Sequence, residues 1–261
     1  MQDYGLVSII TPSWNCGRFV EETIQSILAQ TYTNWELLFQ DDCSTDDTRE
    51  LVMRYAAVDP RIKYACNPKN SGAAITRNNA LQRATGRWIA FLDSDDRWLP
   101  EKLEKQLQFM VDNHYAFTYH DYTEIDEQGN DLGVYVSGPA HITRKGMYAF
   151  CWVGCLTVMY DAQKVGLIQI EDIKKNNDYA MWLKVITFAD CYHLPKCLAR
   201  YRRGRKGSIS THNYAKLLNW HYRLFRQTDH KNRLMALGLT IINMICGIYK
   251  KLCYVSKIPF R

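Results

Sequence analysis

Residues 88–96 read WIAFLDSDD, an apolar run of five residues followed by three carboxylates within four positions. Short apolar runs of this kind are typical of fully buried strands. In a parallel sheet, ligands bind at the carboxyl ends of the strands. Asp93, Asp95 and Asp96 therefore lie where a ligand or a cation is expected. The alternative is that they cap a solvated helix, because Pro100 indicates that a helix starts nearby.

The same pattern recurs upstream, where short apolar runs alternate with stretches of helical periodicity. Alternation of this regularity predicts an α/β fold with a parallel, Rossmann-like sheet. The predicted strands are Leu6–Thr11, which Pro12 ends, Trp35–Gln40, Ile62–Ala65, Trp88–Leu92 and Trp152–Tyr160. The predicted helices are Arg18–Gln30, a segment capped by Ser44, Ala73–Ala84, a segment starting at Pro100, and Asp178–Phe188; a hairpin turn is predicted at Asp126–Gly133.

Two further polar features belong to the same predicted edge of the sheet. Asp41 and Asp42 follow the strand Trp35–Gln40, and a carboxylate there can accept a hydrogen bond from a nucleobase N–H; capping of the helix at Ser44 is the alternative. Arg77 lies on the helix between the two acidic clusters, and a surface ion pair is its alternative role. Together these groups indicate a nucleotide-diphosphate pocket, in which clustered carboxylates would hold Mg²⁺ or Mn²⁺.

Charge is distributed unevenly along the 261 residues. The first 199 residues carry nineteen Lys and Arg against twenty-six acids, a balance of −7, whereas residues 200–261 carry fourteen against one, a balance of +13. An acidic body with a basic tail indicates an anionic partner for the tail. The tail is apolar rather than rich in interleaved aromatic residues, which argues against nucleic acid. Nine cysteines without metal-type spacing favour free thiols in a cytoplasmic protein, and no signal peptide is predicted.

The tail has helical periodicity from Asn213 onward, and we therefore divide the chain into residues 1–212 and a helical extension, residues 213–261. Met235–Tyr249 is strongly apolar but fifteen residues long, whereas a membrane-spanning helix needs about 20. We expect an amphipathic helix on a membrane surface, with its Lys and Arg residues facing anionic headgroups. Packing on residues 1–212, or on a second copy of the chain in a homo-oligomer, is the alternative.

Three segments carry a resemblance to a known family: VSIITPSWN (7–15), WELLFQDDCSTDDT (35–48) and NSGAAITRNNALQRATGRWIAFLDSDDRWLPEKL (70–103). Their sequences and their order resemble the inverting family 2 glycosyltransferases, which have a GT-A fold. The resemblance covers roughly residues 5–200. It implies a nucleotide-diphosphate sugar as donor and a divalent metal, Mn²⁺ or Mg²⁺, as cofactor.

The resemblance also implies roles for individual residues. Pro12 and its neighbours would line the base, Asp42 would hold the uracil ring, and Arg77 would contact the base or the phosphates. Asp93 would bind the donor ribose or the metal shell, and Asp95 would be the direct metal ligand.

The catalytic base of the family lies in an acidic motif shortly before a tryptophan. Here the motif reads Asn177-Asp178, with Trp182 following, so that Asn177 stands where the family usually has glutamate. Asp178 is the expected base, and helix capping is its alternative. Trp182 is expected to pack, with contact to the acceptor sugar as a further role. Residues 201–210 resemble the loop that closes over the donor, where Arg202 and Arg205 would clamp the leaving group; a solvated basic loop is the alternative.

The implied function is transfer of a sugar from a UDP-sugar to an acceptor hydroxyl in the assembly of cell-surface polysaccharide or glycolipid. Lipid-linked acceptors would place the enzyme in the cytoplasm, peripheral to the inner face of the membrane. A nucleotidyltransferase is one alternative, but it would need a glycine-rich, lysine-bearing loop that TPSWNCGRF lacks. The other is a nucleotide-sugar-binding protein without turnover, which would not need Asp178.

Overall fold

The computed structural model describes residues 2–204 and 214–257, which form a mixed α/β fold. The strands are β1 (Val7–Ser13), β2 (Trp35–Asp41), β3 (Ile62–Cys66), β4 (Trp88–Phe91), β5 (Arg97–Trp98), β6 (Phe117–Ile125), β7 (Asp131–Val136), β8 (His141–Ile142), β9 (Met159–Asp161), β10 (Cys191–Arg202) and β11 (Val255–Lys257). The helices are α1 (Gly17–Leu28), α2 (Thr48–Val58), α3 (Ala73–Gln82), α4 (Lys102–Asp112), α5 (Arg144–Ala149), α6 (Ala162–Val165), α7 (Asn177–Val185), α8 (Tyr214–Gln227) and α9 (Arg233–Cys253).

The sheet has a parallel half and a mixed half. Strands β3, β2, β1 and β4 lie side by side in that order, and each neighbouring pair is parallel. Beyond β4 the order continues through β9, β6, β7 and β11, and these neighbouring pairs are antiparallel. This half is mixed because β10, which lies off that path, is parallel to β6. The α/β fold class is confirmed, with all four early strands where the sequence predicts them.

Both faces of the parallel half are buried, which explains why its strands read as continuous apolar runs. Successive side chains of a strand point to opposite faces. One face carries Val7, Ile9, Leu37, Phe39, Trp88 and Ala90, packed with residues of α1 and α4. The other carries Ile10, Leu38, Ile89 and Phe91, packed with residues of α3 and α7.

Two local predictions are wrong. Ser44 does not cap a helix: α2 begins at Thr48, and the Ser44 hydroxyl donates instead to Asp41 Oδ1. Residues 152–160 do not form one strand, because a 3-10 turn at Cys155–Thr157 interrupts them and only β9 pairs with the sheet. Side chains there supply hydrogen bonds that a neighbouring strand would otherwise make: Trp98 Nε1 donates to the Leu156 carbonyl at 2.8 Å.

The C-terminal segment is attached to the sheet as well as to the helices. α9 is 21 residues long, longer than the fifteen predicted, and it packs on α8 and α5. After it, Val255 of β11 pairs with Val136 of β7. The division of the chain at residue 212 falls outside the described residues.

Candidate functional site

The site lies where neighbouring parallel strands end. Ser13 at the end of β1 is in register with Asp41 at the end of β2, and Phe91 at the end of β4 pairs with Ile10. The acidic segments after β2 and β4 therefore flank the end of β1. Pro12 lies inside β1 rather than ending it, beyond the point where the pairing of β1 with β4 ends, so its missing N–H costs no hydrogen bond to β4.

Trp14 is the exposed aromatic residue at this strand end. Pro12 itself is buried, whereas the Trp14 side chain is 53% exposed immediately beyond β1. Asn15 next to it has φ 46° and its backbone N–H is held by the Ser44 hydroxyl at 2.9 Å. The turn thus presents an exposed indole ring at the strand end where β1 and β2 finish, and an exposed indole is a surface on which a planar base can stack.

Asp42 is buried and its carboxylate closes the loop before α3. Its oxygens accept hydrogen bonds of 2.7 Å from the Asn67 side-chain amide and from the backbone N–H groups of Ser71 and Gly72. Gly72 has φ 85°, a conformation that residues with a side chain rarely adopt. A carboxylate offers about four lone-pair sites, so one remains for a nucleobase N–H, and base binding by Asp42 stays a prediction.

Arg77 connects the acidic loop after β4 to the start of α7. Its side chain is 4% exposed; Nη2 lies 3.1 Å from Asp93 Oδ1, and Nη1 donates to Asn177 Oδ1. Most of the guanidinium is therefore engaged by the protein, so Arg77 mainly positions these two segments. Within the described residues only its Nε lacks a hydrogen-bond partner, so contact with the donor through Nε stays a prediction.

The segment from Asp93 to Asp96 forms a tight turn, closed by the Asp96 N–H donating to the Asp93 carbonyl at 3.1 Å. Asp93 and Asp95 are half-buried, whereas Asp96 is fully buried. Burial, followed by the negative charges of Asp95 and Asp93, raises the pKa of Asp96 well above its usual range. Asp96 is thus more deeply buried than the two neighbouring carboxylates.

A divalent cation fits this turn if the substrate supplies further ligands. In the described ranges, no group of three or more His, Cys, Asp or Glu side chains is arranged to hold a metal. Mg²⁺ usually binds one or two carboxylates together with substrate phosphates and water. The half-exposed carboxylates of Asp93 and Asp95 provide such a pair, and the buried Asp96 Oδ2 beside them lacks a hydrogen bond within the described structure.

Asp178 stands in the first turn of α7, facing Arg77 and Asp93. The chain enters the helix through Asn176, whose φ of 58° is left-handed, and Asp178 Oδ1 accepts a hydrogen bond from the Tyr179 N–H at 2.8 Å. Burial raises the pKa of Asp178; the positive charge of Arg77 opposes this rise, and the negative charge of Asp93 adds to it. A raised pKa makes a carboxylate a stronger proton acceptor, as a general base requires.

Arg202 has a role different from the predicted leaving-group clamp. Its side chain is fully buried, and it donates to Glu22 Oε2 at 2.7 Å, to the Asp95 carbonyl at 2.9 Å and to the Glu127 carbonyl at 2.8 Å. Its backbone N–H donates to Asp96 Oδ1 at 2.8 Å. Arg202 therefore fastens the acidic turn to α1 and to the β6–β7 hairpin, and its side-chain nitrogens are engaged by these contacts.

Replacement of Arg202 by methionine should lower the free energy of unfolding by about 3 kcal/mol, because the buried guanidinium donates to the Glu22 carboxylate and to three backbone carbonyls, and each hydrogen bond contributes about 1 kcal/mol. Arg54→Met is the control, since Arg54 and its partner Glu21 are both largely exposed, and such pairs contribute about 1 kcal/mol or less. Urea denaturation followed by circular dichroism measures both variants. Equal stability of the two variants would contradict the buried role of Arg202.

The other residues predicted near the acceptor or leaving group divide into two cases. Trp182 is fully buried and packs edge-on against Phe91 with ring centroids 5.0 Å apart, as expected of a packing residue, and its contact with the acceptor stays a prediction. Arg205 lies outside the described residues.

Sequence reasoning did not anticipate Cys155, whose Sγ lies 3.8 Å from Arg77 Nη2; a lone cysteine in an apolar run gives no signal of this position.

Comparison with known proteins agrees with the geometry. Residues 8–145 match the model of glycosyl transferase family 2. The putative teichuronic acid biosynthesis glycosyltransferase TuaG of Bacillus subtilis is 42% identical over 198 residues, covering 76% of this chain and 79% of TuaG. WfgD of Escherichia coli, a UDP-Glc:alpha-D-GlcNAc-diphosphoundecaprenol beta-1,3-glucosyltransferase, is 38% identical over 260 residues, covering 98% of this chain and 94% of WfgD.

Among solved structures, that of Staphylococcus aureus TarS 1–349 in complex with UDP-GlcNAc has the same fold, with a TM-score of 0.70 at 19% identity. The match covers 90% of this chain and 70% of that one. The chain thus has the GT-A fold, and the family match makes it a glycosyltransferase. The chain belongs to glycosyl transferase family 2.

Proposed function

We propose that this glycosyltransferase moves a sugar from a UDP-sugar, with inversion and with the help of a divalent metal, to a hydroxyl of a lipid-diphosphate-linked acceptor in surface-polysaccharide assembly. The contact of Arg77 with both Asp93 and Asn177 carries the proposal, because it brings the donor-side acid and the expected base, Asp178, to one place. WfgD, which this chain matches over nearly its whole length, supports the donor and the acceptor class through its stated activity.

The reaction would be a single displacement at the anomeric carbon. Asp178 takes the proton from the acceptor hydroxyl while the acceptor oxygen forms its bond to that carbon. The bond between the carbon and the diphosphate oxygen breaks, and UDP leaves with the electron pair. An α-linked donor then gives a β-linked product, and no covalent bond to the protein forms.

Asp95 would hold the metal, with Asp93 in its shell or on the donor ribose. When bound, a divalent cation supplies Lewis-acid stabilisation of the charge on the leaving diphosphate. Arg77 keeps the acidic turn and α7 at a fixed spacing, and its charge limits the rise of the Asp178 pKa. Asn177 gives this chain a neutral partner for Arg77 where the family usually has a glutamate.

Replacement of Trp14 by alanine should raise KM for the UDP-sugar about tenfold with little change in kcat, because stacking of a base on an aromatic ring contributes about 1–3 kcal/mol. Trp14→Phe should recover most of the affinity. Phe188→Ala is the matched control, since Phe188 is 60% exposed just after α7. Initial-rate kinetics at varied donor concentration measures all three variants, and an unchanged KM for Trp14→Ala would remove Trp14 from the base site.

The proposed function is tested by offering UDP- and GDP-sugars together with a diphosphate-lipid acceptor, with and without Mn²⁺. Transfer from at least one UDP-sugar, dependent on the divalent metal, is the expected result. Transfer from GDP-sugars alone would contradict the nucleotide assignment. Full activity in the presence of EDTA would contradict the metal assignment.

A lipid-linked acceptor places the reaction at the cytoplasmic face of a membrane, where nucleotide sugars are available. The nine cysteines, all free in the structure, are compatible with a reducing compartment. We therefore propose a peripheral enzyme of the cytoplasm, with the nucleotide sugar and the lipid-linked glycan as its partners. A homo-oligomer stays a prediction.

A further inference from the structure

Helix α9 presents a wide apolar face to solvent. Nine large apolar side chains on it are between 44% and 84% exposed: Leu234, Met235, Leu237, Ile241, Ile242, Ile245, Ile248, Tyr249 and Leu252. At about 100° per residue these positions cover an arc of roughly 160°. The seam of a coiled coil is narrower, so the width of the arc favours a broad surface over one partner helix.

The opposite face of α9 is fixed to the catalytic domain. Ala236, Thr240 and Asn243 are buried, and Asn243 Nδ2 donates to the Tyr179 hydroxyl at 3.0 Å. Nearer the C-terminus, Lys250 Nζ donates to the Trp152 carbonyl at 2.6 Å. α9 is thus a docked element whose apolar arc points away from the domain.

The charges around the arc are of one sign. Residues 233–253 contain no acid, and residues 214–257 contain eight Lys and Arg against one acid, Asp229. Arg233 and Lys251 are exposed and, at about 100° per residue, fall on the same border of the arc. An apolar arc bordered by cations is complementary to an anionic lipid surface, in which long basic side chains reach the headgroups.

α9 is long and apolar enough to cross a membrane by length and composition alone. Its attachments argue against crossing. The chain before it, α8, packs on α9, and the chain after it pairs with the sheet through Val255 and Val136. Because both flanks are held by the same domain and one face is covered by protein, the helix fits along a bilayer surface rather than through it.

We propose that α9 binds an anionic bilayer through this apolar arc and thereby holds the acceptor side of the active site at the membrane surface. The Tyr179 hydroxyl of α7 accepts a hydrogen bond from Asn243 of α9, and Tyr179 is next in the chain to the proposed base Asp178. The helix that carries the apolar arc is therefore in direct contact with the helix that carries the base. The placement of an acceptor sugar there rests on the proposed function, whereas lipid binding does not.

The test is flotation of the full chain on vesicles of phosphatidylcholine with and without phosphatidylglycerol. Wild type should float with the anionic vesicles and several-fold less with neutral ones. Ile241→Asp combined with Ile245→Asp should reduce the floated fraction roughly tenfold, because two charges would enter the apolar layer. Arg233→Glu combined with Lys251→Glu should reduce flotation on the anionic vesicles alone.

Val58→Asp is the matched control, since Val58 is an exposed aliphatic residue on α2, at 81% exposure, and should float like wild type. Circular dichroism verifies that each variant is folded. Absence of wild-type flotation, or equal flotation of the Ile241/Ile245 variant, would overturn the proposal. A dimer in sedimentation that the same two substitutions dissociate, without vesicle binding, would overturn it in favour of an interface between copies.

Transfer to a water-soluble acceptor analogue, measured on the same samples, separates this proposal from the proposed function. Flotation as expected without any transfer would leave the membrane surface established and the proposed reaction wrong. Transfer without flotation would leave the reaction established and the membrane surface wrong.

Discussion

Asp178→Asn is expected to lower kcat about a thousandfold, the range typical for loss of a positioned general base. The amide keeps the size of the carboxylate and can still accept the Tyr179 N–H hydrogen bond, so the structure of α7 should persist. The affinity for UDP should change little, because the proposed role of Asp178 is on the acceptor side. The loss should therefore appear in kcat rather than in donor binding.

Single-turnover kinetics and calorimetric titration with UDP measure these two quantities separately. Asp112→Asn is the control, an exposed aspartate at the end of α4 that should behave as wild type. A variant Asp178→Asn that transfers at the wild-type rate would show that another group takes the proton.

The pH dependence gives the same assignment a second readout. A base must be deprotonated, so kcat should fall as the pH is lowered through the pKa of Asp178. Burial raises that pKa above the ordinary value of 3.8, so the fall should begin at a higher pH than for an exposed aspartate. In Asp178→Asn the residual kcat should no longer fall as the pH is lowered through this range. An unchanged fall would show that a different group is being protonated.

Asp95→Asn is expected to lower kcat/KM about a thousandfold, because Lewis-acid stabilisation by a metal contributes several kcal/mol to the transition state. The substitution removes one of the two half-exposed carboxylates at the acidic turn and keeps the backbone carbonyl that accepts from Arg202 Nε. The turn should therefore persist while the metal is held less tightly.

The decisive comparison for Asp95 is the rate with Mn²⁺ against the rate with EDTA. Wild type should be strongly stimulated by Mn²⁺, Asp95→Asn weakly, and the two proteins should have similar rates in EDTA. Asp47→Asn, an exposed acid just before α2, should be stimulated as wild type is. Equal stimulation of Asp95→Asn and wild type would place the metal elsewhere.

The parallel half of the fold could be predicted from the sequence because each of its strands is buried on both faces. An apolar run of four to seven residues between polar turns has few other readings, and the strand ends then follow from the chain order. The acids of the site could be predicted for the same reason, because Asp41, Asp93 and Asp95 lie in the polar segments that follow such apolar runs. The turns at the strand ends are therefore the part of this molecule that hydrophobic periodicity predicts best.

The errors arise where side chains far apart in the sequence decide the structure. Trp98 and Gln106 satisfy carbonyls of residues 156 and 157, so an apolar run forms a turn instead of a strand. Arg202 reads as a basic loop residue, yet α1 and the β6–β7 hairpin supply acceptors that bury it. α9 is longer than the apolar segment Met235–Tyr249, because Asn232 caps the helix before that segment and the basic residues after Tyr249 continue it.

The anomeric configuration of the product tests the central claim most directly. Wild type is supplied with an α-linked UDP-sugar and a diphosphate-lipid acceptor in the presence of Mn²⁺, and proton NMR of the product reads the new linkage. Inversion with Asp178 as the base predicts a β-linkage formed by wild type and about a thousandfold more slowly by Asp178→Asn. An α-linked product, or a β-linked product formed equally fast by both proteins, would contradict the account.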